Sequence, residues 1–205
     1  MQIEGTANPD EYKVWMTPDE LEALIDVADQ RSLHHKVVVL LGAHVGLRAF
    51  EMTQVCPRHI QKEKGSYWLR VPAGKDTQSG TGEPRDAFLP DAVEREMLEL
   101  QYSEQLDDDD AYFPVTSGRV RQMVWEAAED VASHVEDGAD LPGSASDWQK
   151  VSSHDLRRFF AHSCLVRRAM NPRVVMEVGG WSSFSAIEPY LNKPTKQNIA
   201  EEFRS

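Results

Sequence analysis

A chain of 205 residues with 40% hydrophobic side chains is long enough to form one domain with its own core. It contains no apolar run near the roughly 20 residues that cross a bilayer and no signal-peptide pattern at its start, so we expect a cytoplasmic protein without membrane contact. Its net charge of -12 argues against nucleic-acid binding by the surface as a whole, and its two cysteines, Cys56 and Cys164, indicate neither a disulfide framework nor a zinc site.

The first elements expected along the chain are a flexible tail and a helix. Residues 1–12 are polar and without periodicity, which predicts a loose N-terminal tail. Thr17 then offers an N-cap, Pro18 suits the first helical position, and Glu20 follows three residues after the cap. This pattern predicts a helix that ends near Gln30.

Two further helices are expected close together. The apolar stretch of residues 36–45 predicts a buried helix that ends at Gly46, and a short helix follows from Arg48 to about Val55. Arg48 therefore lies at a helix start in apolar surroundings, where an unpaired cation costs free energy. Glu51, one helical turn later, is placed to hydrogen-bond and orient it.

The middle of the chain changes to strand composition. Residues 67–71 and 85–89 are short runs separated by a Gly-, Ser-, Thr- and Asp-rich segment, which predicts an antiparallel hairpin whose long loop holds Lys75. A lysine in such a loop is usually only solvated. Helices are expected at about residues 90–106 and 117–134, a solvated acidic turn at 107–110, and a loop at 136–147.

The last third of the chain carries His154 and Arg157 on one predicted helix, capped by Ser152 or Ser153. Their i, i+3 spacing places both on one face, and the helix N-terminus favours a nearby phosphate. A lone histidine at a helix start is more often structural, so the pairing with Arg157 carries the argument. Together the elements predict a mostly α-helical α+β domain with a small antiparallel β-sheet.

Two aromatic residues follow the Gly179-Gly180 pair that ends the next helix. Trp181 comes directly after the glycines, where a core aromatic is an equally good interpretation. Tyr190 follows nine residues later. Its phenol, with a free pKa near ~10, is a poor nucleophile at neutral pH unless cations stabilise the phenolate. Two arginines and a histidine are the candidates for that task.

In chain order, Arg48, Lys75, His154-x-x-Arg157, Trp181 and Tyr190 resemble the catalytic set of the tyrosine recombinases, the phage integrase family. The resemblance implies the catalytic-domain fold of that family. It implies that Arg48 and Arg157 bind the scissile phosphate, that Tyr190 attacks it to give a 3'-phosphotyrosine, and that Lys75 protonates the 5'-hydroxyl leaving group. His154 assists proton transfer, Trp181 takes a place that many members give to histidine, and neither a metal nor a cofactor is expected.

The resemblance also sets the expected domain organisation. Residues 13–193 correspond to the catalytic domain and residues 194–205 to a C-terminal tail. Members usually carry a helical core-binding domain before the catalytic domain, and we expect none in this chain. Double-stranded DNA is the implied partner, with a homo-tetramer on DNA and the state in solution, such as a monomer, left open.

The distribution of charge reconciles an acidic chain with a DNA partner. Between Lys150 and Arg173 the only acidic residue is Asp155, so this stretch forms a local basic face. The expected DNA contacts on it are Lys150, Arg158, Arg167, Arg168 and Arg173. Over the whole chain, 34 acidic residues outnumber 22 basic ones, which leads to the hypothesis of a halophilic protein, from a halophilic archaeon or its virus.

Three functions fit these observations. The first is site-specific DNA recombination in integration, excision or resolution. The second is DNA relaxation of the type IB topoisomerase kind, which uses the same chemistry without partner exchange. The third is a catalytically silent DNA-binding regulator with the same fold. The complete residue set favours the first, since a silent protein has no physical need for all of it.

Overall fold

The computed structural model describes residues 1–8, 11–72 and 84–191. The chain begins with a hairpin in which β1 (Gln2–Gly5) pairs antiparallel with β2 (Tyr12–Trp15). The prediction of a flexible tail over residues 1–12 was therefore wrong. Val14 is fully buried and its N–H donates to Oδ1 of Asp155 at 2.9 Å, a contact with a distant helix that local sequence does not show.

The expected first helix is present as α1 (Pro18–Arg31). The Thr17 hydroxyl accepts the Glu20 N–H, and the Glu20 carboxylate accepts the Thr17 N–H, which is the predicted capping box. The next helix, α2 (Leu33–Leu40), begins three residues earlier than predicted because the Ser32 side chain caps it by accepting the His35 N–H.

A π-helical turn, Leu41–Val45, extends α2 toward the short helix α3 (Ala49–Met52). Gly46 ends the turn in the left-handed conformation with φ of 76°, a conformation that glycine adopts without steric cost. A side chain there would also collide with the Phe160 ring, which lies 2.6 Å from the position of a Cβ. The sharp change of direction presents Arg48 at the N-cap of α3.

The described part of the chain also contains a three-stranded antiparallel sheet in the order β3-β4-β5. Its strands are β3 (Ile60–Glu63), β4 (Ser66–Val71) and β5 (Arg85–Leu89). The β4–β5 hairpin confirms the prediction, with Leu69 opposite Ala87. The sequence did not indicate β3, whose last three residues, Gln61, Lys62 and Glu63, are exposed and polar.

Three helices complete the main hydrophobic core: α4 (Asp91–Glu104), α5 (Ser117–Glu136) and α6 (Ala145–Trp148). The long helix α5 packs against α1, α2 and α3. Its buried stripe follows helical spacing and consists of Val120, Met123, Val124, Ala127, Ala128, Val131 and Ala132. The short helix α6 lies in the segment expected to be a loop, because the indole of Trp148 is fully buried and donates to the Pro142 carbonyl.

The C-terminal elements form a second, smaller cluster. They are α7 (Ser153–His162), a π-helical turn (Ser163–Arg167), α8 (Pro172–Gly179), α9 (Phe184–Ile187) and the 3-10 turn Glu188–Tyr190. Helix α7 joins the two clusters, since Phe159 packs into the main core and Phe160 into the smaller one. Residues 194–205, the expected tail, lie outside the described residues. Among the helices described, none is both long and apolar enough to span a membrane.

Candidate active site

The site is organised around the carboxylate of Glu51, which has no solvent exposure. Its Oε2 accepts the backbone N–H of Arg48 at 2.7 Å, and its Oε1 accepts Nη1 of Arg48 at 2.9 Å. Nη2 of Arg48 donates to the Gly180 carbonyl at 3.1 Å. Glu51 and Arg48 are therefore in contact as the sequence predicted, and the Arg48 side chain keeps 36% of its surface exposed.

A second arginine, Arg85, holds the other side of the same carboxylate. Its Nη1 and Nη2 donate to Oε1 and Oε2 of Glu51 at 2.7 and 3.0 Å, and its Nε donates to the Val178 carbonyl at 3.1 Å. Arg85 was not among the site residues predicted from the sequence. The available signal was strand alternation, which places Arg85 on the same buried face as Ala87 and Leu89.

The charge of Glu51 is stabilised by its partners. Burial raises the pKa of Glu51, but the hydrogen bonds and charge of Arg85, the charge of Arg157 and the Arg48 N–H outweigh burial and lower it to about 2. Glu51 is therefore ionised at neutral pH, and it neutralises part of the positive charge that three nearby guanidinium groups would otherwise concentrate.

Arg157 is 2% exposed and comes from the middle of α7. Its Nη1 donates to the Gly46 carbonyl, and its Nη2 has no hydrogen-bond partner among the described residues. Burial, followed by the charge of Arg48, lowers the pKa of Arg157 to about 9. An unpaired buried N–H costs free energy, so this atom is suited to an anionic oxygen that enters the site.

Trp181 and Tyr190 lie beside Arg157. The guanidinium carbon of Arg157 is 3.8 Å from the centroid of the Trp181 ring, and Trp181 also stacks on Phe160. Tyr190 packs edge-on against Trp181 with a centroid distance of 5.7 Å and is 8% exposed. Tyr190 is also close enough to Arg157 and Arg158 to interact electrostatically with both guanidinium groups. Tyr190 thus lies in the site formed by its own chain.

Trp15 also packs beside Tyr190, a contact that was not predicted from the sequence. The Trp15 ring lies 6.3 Å from that of Tyr190 and 5.6 Å from that of His162, both edge-on. Its Nε1 is buried without a hydrogen-bond partner among the described residues. The N-terminal hairpin therefore belongs to the surroundings of the site.

His154 lies in the first turn of α7, one helical turn before Arg157 as predicted, and keeps an exposed surface. Desolvation, followed by the positive charges of Arg158, Arg157 and Arg48, lowers the pKa of His154. Because His154 is exposed, the three positive charges explain its lowered pKa better than burial does. The imidazole is neutral at pH 7 and has a ring nitrogen able to accept a proton.

The expected DNA-contacting residues divide into exposed and buried ones. Arg167, Arg168 and Arg173 are exposed, although Arg167 also donates to the Met16 carbonyl. Lys150 is partly buried and pairs with Asp147 at 3.4 Å. The prediction for Arg158 was wrong: this residue is 7% exposed and donates to Asp155.

The cause of that error is the N-terminal hairpin. The guanidinium of Arg158 lies 5.5 Å from the centroid of the Trp15 ring, so the hairpin covers a helix face that a flexible tail would have left open. Lys75, the expected general acid, lies outside the described residues.

Comparison with known proteins gives the family of the chain. A family model described as Phage integrase family matches residues 14–197. The chain belongs to the phage integrase family. The tyrosine recombinase XerA of Pyrococcus furiosus is 26% identical over 187 residues, which are 88% of this chain and 58% of that relative. The chain thus spans less than two thirds of the length of this curated relative.

Solved integrase-family structures share the fold. The match to the crystal structure of XerA recombinase has a TM-score of 0.66 at 18% identity. It covers 93% of this chain and 62% of the XerA chain. The match to the Tn1549 transposon integrase, solved with circular intermediate DNA, has a TM-score of 0.70 at 15% identity. It covers 96% of this chain and 66% of the integrase chain. These matches confirm the predicted mostly helical α+β fold of a tyrosine recombinase catalytic domain.

Proposed function

We propose that this chain is a site-specific DNA recombinase that breaks and rejoins strands through a covalent tyrosine–phosphate bond. One observation carries the proposal: Tyr190 and Arg157 both contact Trp181, and Nη2 of Arg157 is an unpaired donor in the same buried cluster. Arg48 is joined to this cluster through the Gly180 carbonyl, next to Trp181. A nucleophile and two cationic forks are what phosphodiester exchange without a metal requires.

Each residue has one role in the proposed reaction. Arg48 and Arg157 bind the non-bridging oxygens of the scissile phosphate, with Glu51 supporting Arg48 and Trp181 supporting Arg157. Tyr190 attacks phosphorus through its hydroxyl oxygen while neutral His154 assists removal of the proton. The bond to the 5'-oxygen breaks as Lys75 gives that oxygen a proton, which leaves a 3'-phosphotyrosine. The reverse steps rejoin the strand.

The proposed substrate is double-stranded DNA, bound by residues 13–193 as the catalytic domain. Exposed Arg167, Arg168 and Arg173, with Lys150 at the edge, supply phosphate contacts. We propose assembly into a homo-tetramer on DNA because exchange between two duplexes needs four cleaved strands. The halophilic origin and cytoplasmic location expected from the sequence remain predictions.

The test is covalent capture. The full chain is incubated with nicked suicide duplexes made from the DNA at the junctions that flank its own gene, and protein–DNA adducts are resolved on a denaturing gel. We expect an adduct for the natural chain and none for Tyr190→Phe, with unchanged DNA binding. Plasmid relaxation without strand exchange would instead indicate a topoisomerase-like activity, and sequence-specific binding without any adduct would indicate a silent regulator.

A further inference from the structure

Arg48 and Arg85 donate hydrogen bonds to the same carboxylate and to the same turn. Both guanidinium groups bind Glu51, and each donates a further hydrogen bond to the segment that ends α8. Arg48 uses Nη2 for the Gly180 carbonyl, and Arg85 uses Nε for the Val178 carbonyl. The two arginines and Glu51 therefore connect α3 and β5 to the residues directly before Trp181. We name these three residues the clamp.

Gly180 shows how closely the turn approaches Arg85. It adopts φ of 67°, and a Cβ added to it would lie 2.8 Å from Nε and 2.9 Å from Cδ and Cζ of Arg85. Only glycine combines this conformation with this contact. The turn continues into Trp181, on whose ring Arg157 lies, so the position of Arg85 is transmitted to both phosphate-binding arginines through direct contacts.

Arg85 itself has no route to a bound phosphate. It is 8% exposed, and all three of its donor nitrogens are engaged within the protein, at Glu51 and at the Val178 carbonyl. Its effect on any reaction must therefore pass through the residues that it holds. A lysine at this position would keep the positive charge but lacks the planar fork that spans two carboxylate oxygens and a carbonyl.

We propose that Arg85 is a positioning residue, which holds Arg48 and the Trp181 turn in the geometry needed to bind the scissile phosphate. The proposal rests on the proposed function, because it assigns a role within that reaction. It also makes a structural claim that holds without DNA: the orientation of the Arg48 guanidinium depends on Arg85 through Glu51.

The first test separates binding from the chemical step. Arg85→Lys is compared with Arg70→Lys, a matched control in which the arginine binds both oxygens of Asp86 at 3.1 Å on the exposed face of the same sheet. We expect Arg85→Lys to bind DNA with an affinity within about threefold of the natural chain and to form the adduct about 100-fold more slowly at saturating DNA, as expected for a small misplacement of reacting groups. Arg70→Lys should match the natural chain in both.

A merely structural role predicts a different result. Rates are measured at a temperature where circular dichroism shows each variant to be folded, so lower stability alone leaves the rate of the folded protein unchanged. An Arg85→Lys rate equal to that of the natural chain overturns the proposal, as does a loss confined to DNA affinity. If Arg85→Lys does not fold, Arg85→Gln is measured in the same way.

A second readout keeps the two proposals apart. NMR of the guanidinium nitrogens reports whether the Arg48 group rotates freely, with Arg48→Lys to assign its signals. We expect hindered rotation in the natural chain and averaged signals in Arg85→Lys. Absence of any adduct from the natural chain would remove the proposed function, and unchanged Arg48 signals in Arg85→Lys would remove the clamp.

Discussion

The guanidinium of Arg157 lies against the indole of Trp181, with its central carbon 3.8 Å from the ring centroid. The contact combines a cation with an aromatic face and is partly shielded from water, since Arg157 is 2% and Trp181 8% exposed. The ring packs against the guanidinium while Nη2 stays unpaired among the described residues. In the proposed function, Trp181 supports Arg157 as a phosphate ligand by packing, without needing to touch the phosphate.

Removing the Trp181 ring should affect both activity and stability. Trp181→Ala takes away the surface on which Arg157 and Tyr190 pack, so we expect adduct formation to fall about 100-fold. The lost burial should lower the free energy of unfolding by about 3–5 kcal/mol. Trp181→Phe keeps an aromatic face, so it should retain more of the adduct-forming activity and more of the stability than Trp181→Ala. Denaturant titration and single-turnover cleavage measure the two effects.

The control for this change is Trp125→Ala on α5. That side chain is 49% exposed, so its removal should change unfolding by less than about 1 kcal/mol and leave cleavage unchanged. Equal losses in the two alanine variants would contradict a special role for Trp181.

Glu51 should make the fold sensitive to acid. Its folded pKa, near 2, lies below its ordinary value of 4.5, so its ion pairs contribute fully above about pH 4.5 and are lost as the pH falls toward 2. The shift corresponds to about 3 kcal/mol of stability. Glu51→Gln should lower the free energy of unfolding at pH 7. Below pH 4.5, that free energy should fall less steeply with pH in the variant than in the natural chain, as measured by chemical unfolding.

Glu126 provides the comparison for that experiment. A hydrogen bond from Arg119 also lowers the pKa of Glu126 to about 2, and this side chain is 13% exposed, whereas Glu51 has no exposure. Glu126→Gln should change acid stability less than Glu51→Gln, because part of the Glu126 side chain is screened by water, and it should leave DNA cleavage unaffected. A Glu51→Gln variant as stable as Glu126→Gln at pH 7 would show that the buried ion pairs contribute little.

The residues of the candidate site could be predicted because each lies at a local signal. Arg48 follows the helix break at Gly46, His154 and Arg157 share a face by their spacing, and Trp181 follows the glycines that end α8. The same local logic gave the β4–β5 hairpin. Tyr190 was recognised by its order after the other residues, and its packing confirms that it lies among them.

The features that were not predicted are contacts between segments that lie far apart in the sequence. The Arg85–Glu51 pair joins residues 34 positions apart, and the Val14–Asp155 hydrogen bond joins residues 141 positions apart. No periodicity or spacing encodes such pairs. The same cause explains why Arg158 was expected on the surface: the strand β2 that covers it is only four residues long, and its pairing partner β1 lies in the segment that was interpreted as a tail.

Trp15 should influence the position of the nucleophile. Its ring contacts that of Tyr190, and strand β2 is tied to α7 by the hydrogen bond from Val14 to Asp155. Trp15→Ala opens space beside Tyr190, so we expect cleavage to slow about tenfold or more with little change in DNA affinity. Trp15→Phe should recover most of the rate. Trp68→Ala, in the three-stranded sheet, is the control.

The excess of acidic residues predicts stabilisation by salt. With a net charge of -12, the folded chain repels itself in dilute buffer, and molar KCl should raise its unfolding temperature by several degrees through screening and solvation of the acidic surface. Differential scanning calorimetry across KCl concentrations measures this effect. Full stability and activity in dilute buffer, without gain at molar salt, would reject the halophile hypothesis.

The proposed role of Lys75 as general acid is tested by changing both the protein and the leaving group of the DNA. If Lys75 protonates the 5'-oxygen, Lys75→Ala should slow cleavage of ordinary DNA about 100-fold or more. A substrate with sulfur in place of that oxygen has a leaving group that departs without a proton, so Lys75→Ala should cleave it at nearly the natural rate. Tyr190→Phe lacks the nucleophile and should cleave neither substrate. Equal slowing of Lys75→Ala on both substrates would assign Lys75 to DNA binding, because a binding defect does not depend on the leaving atom.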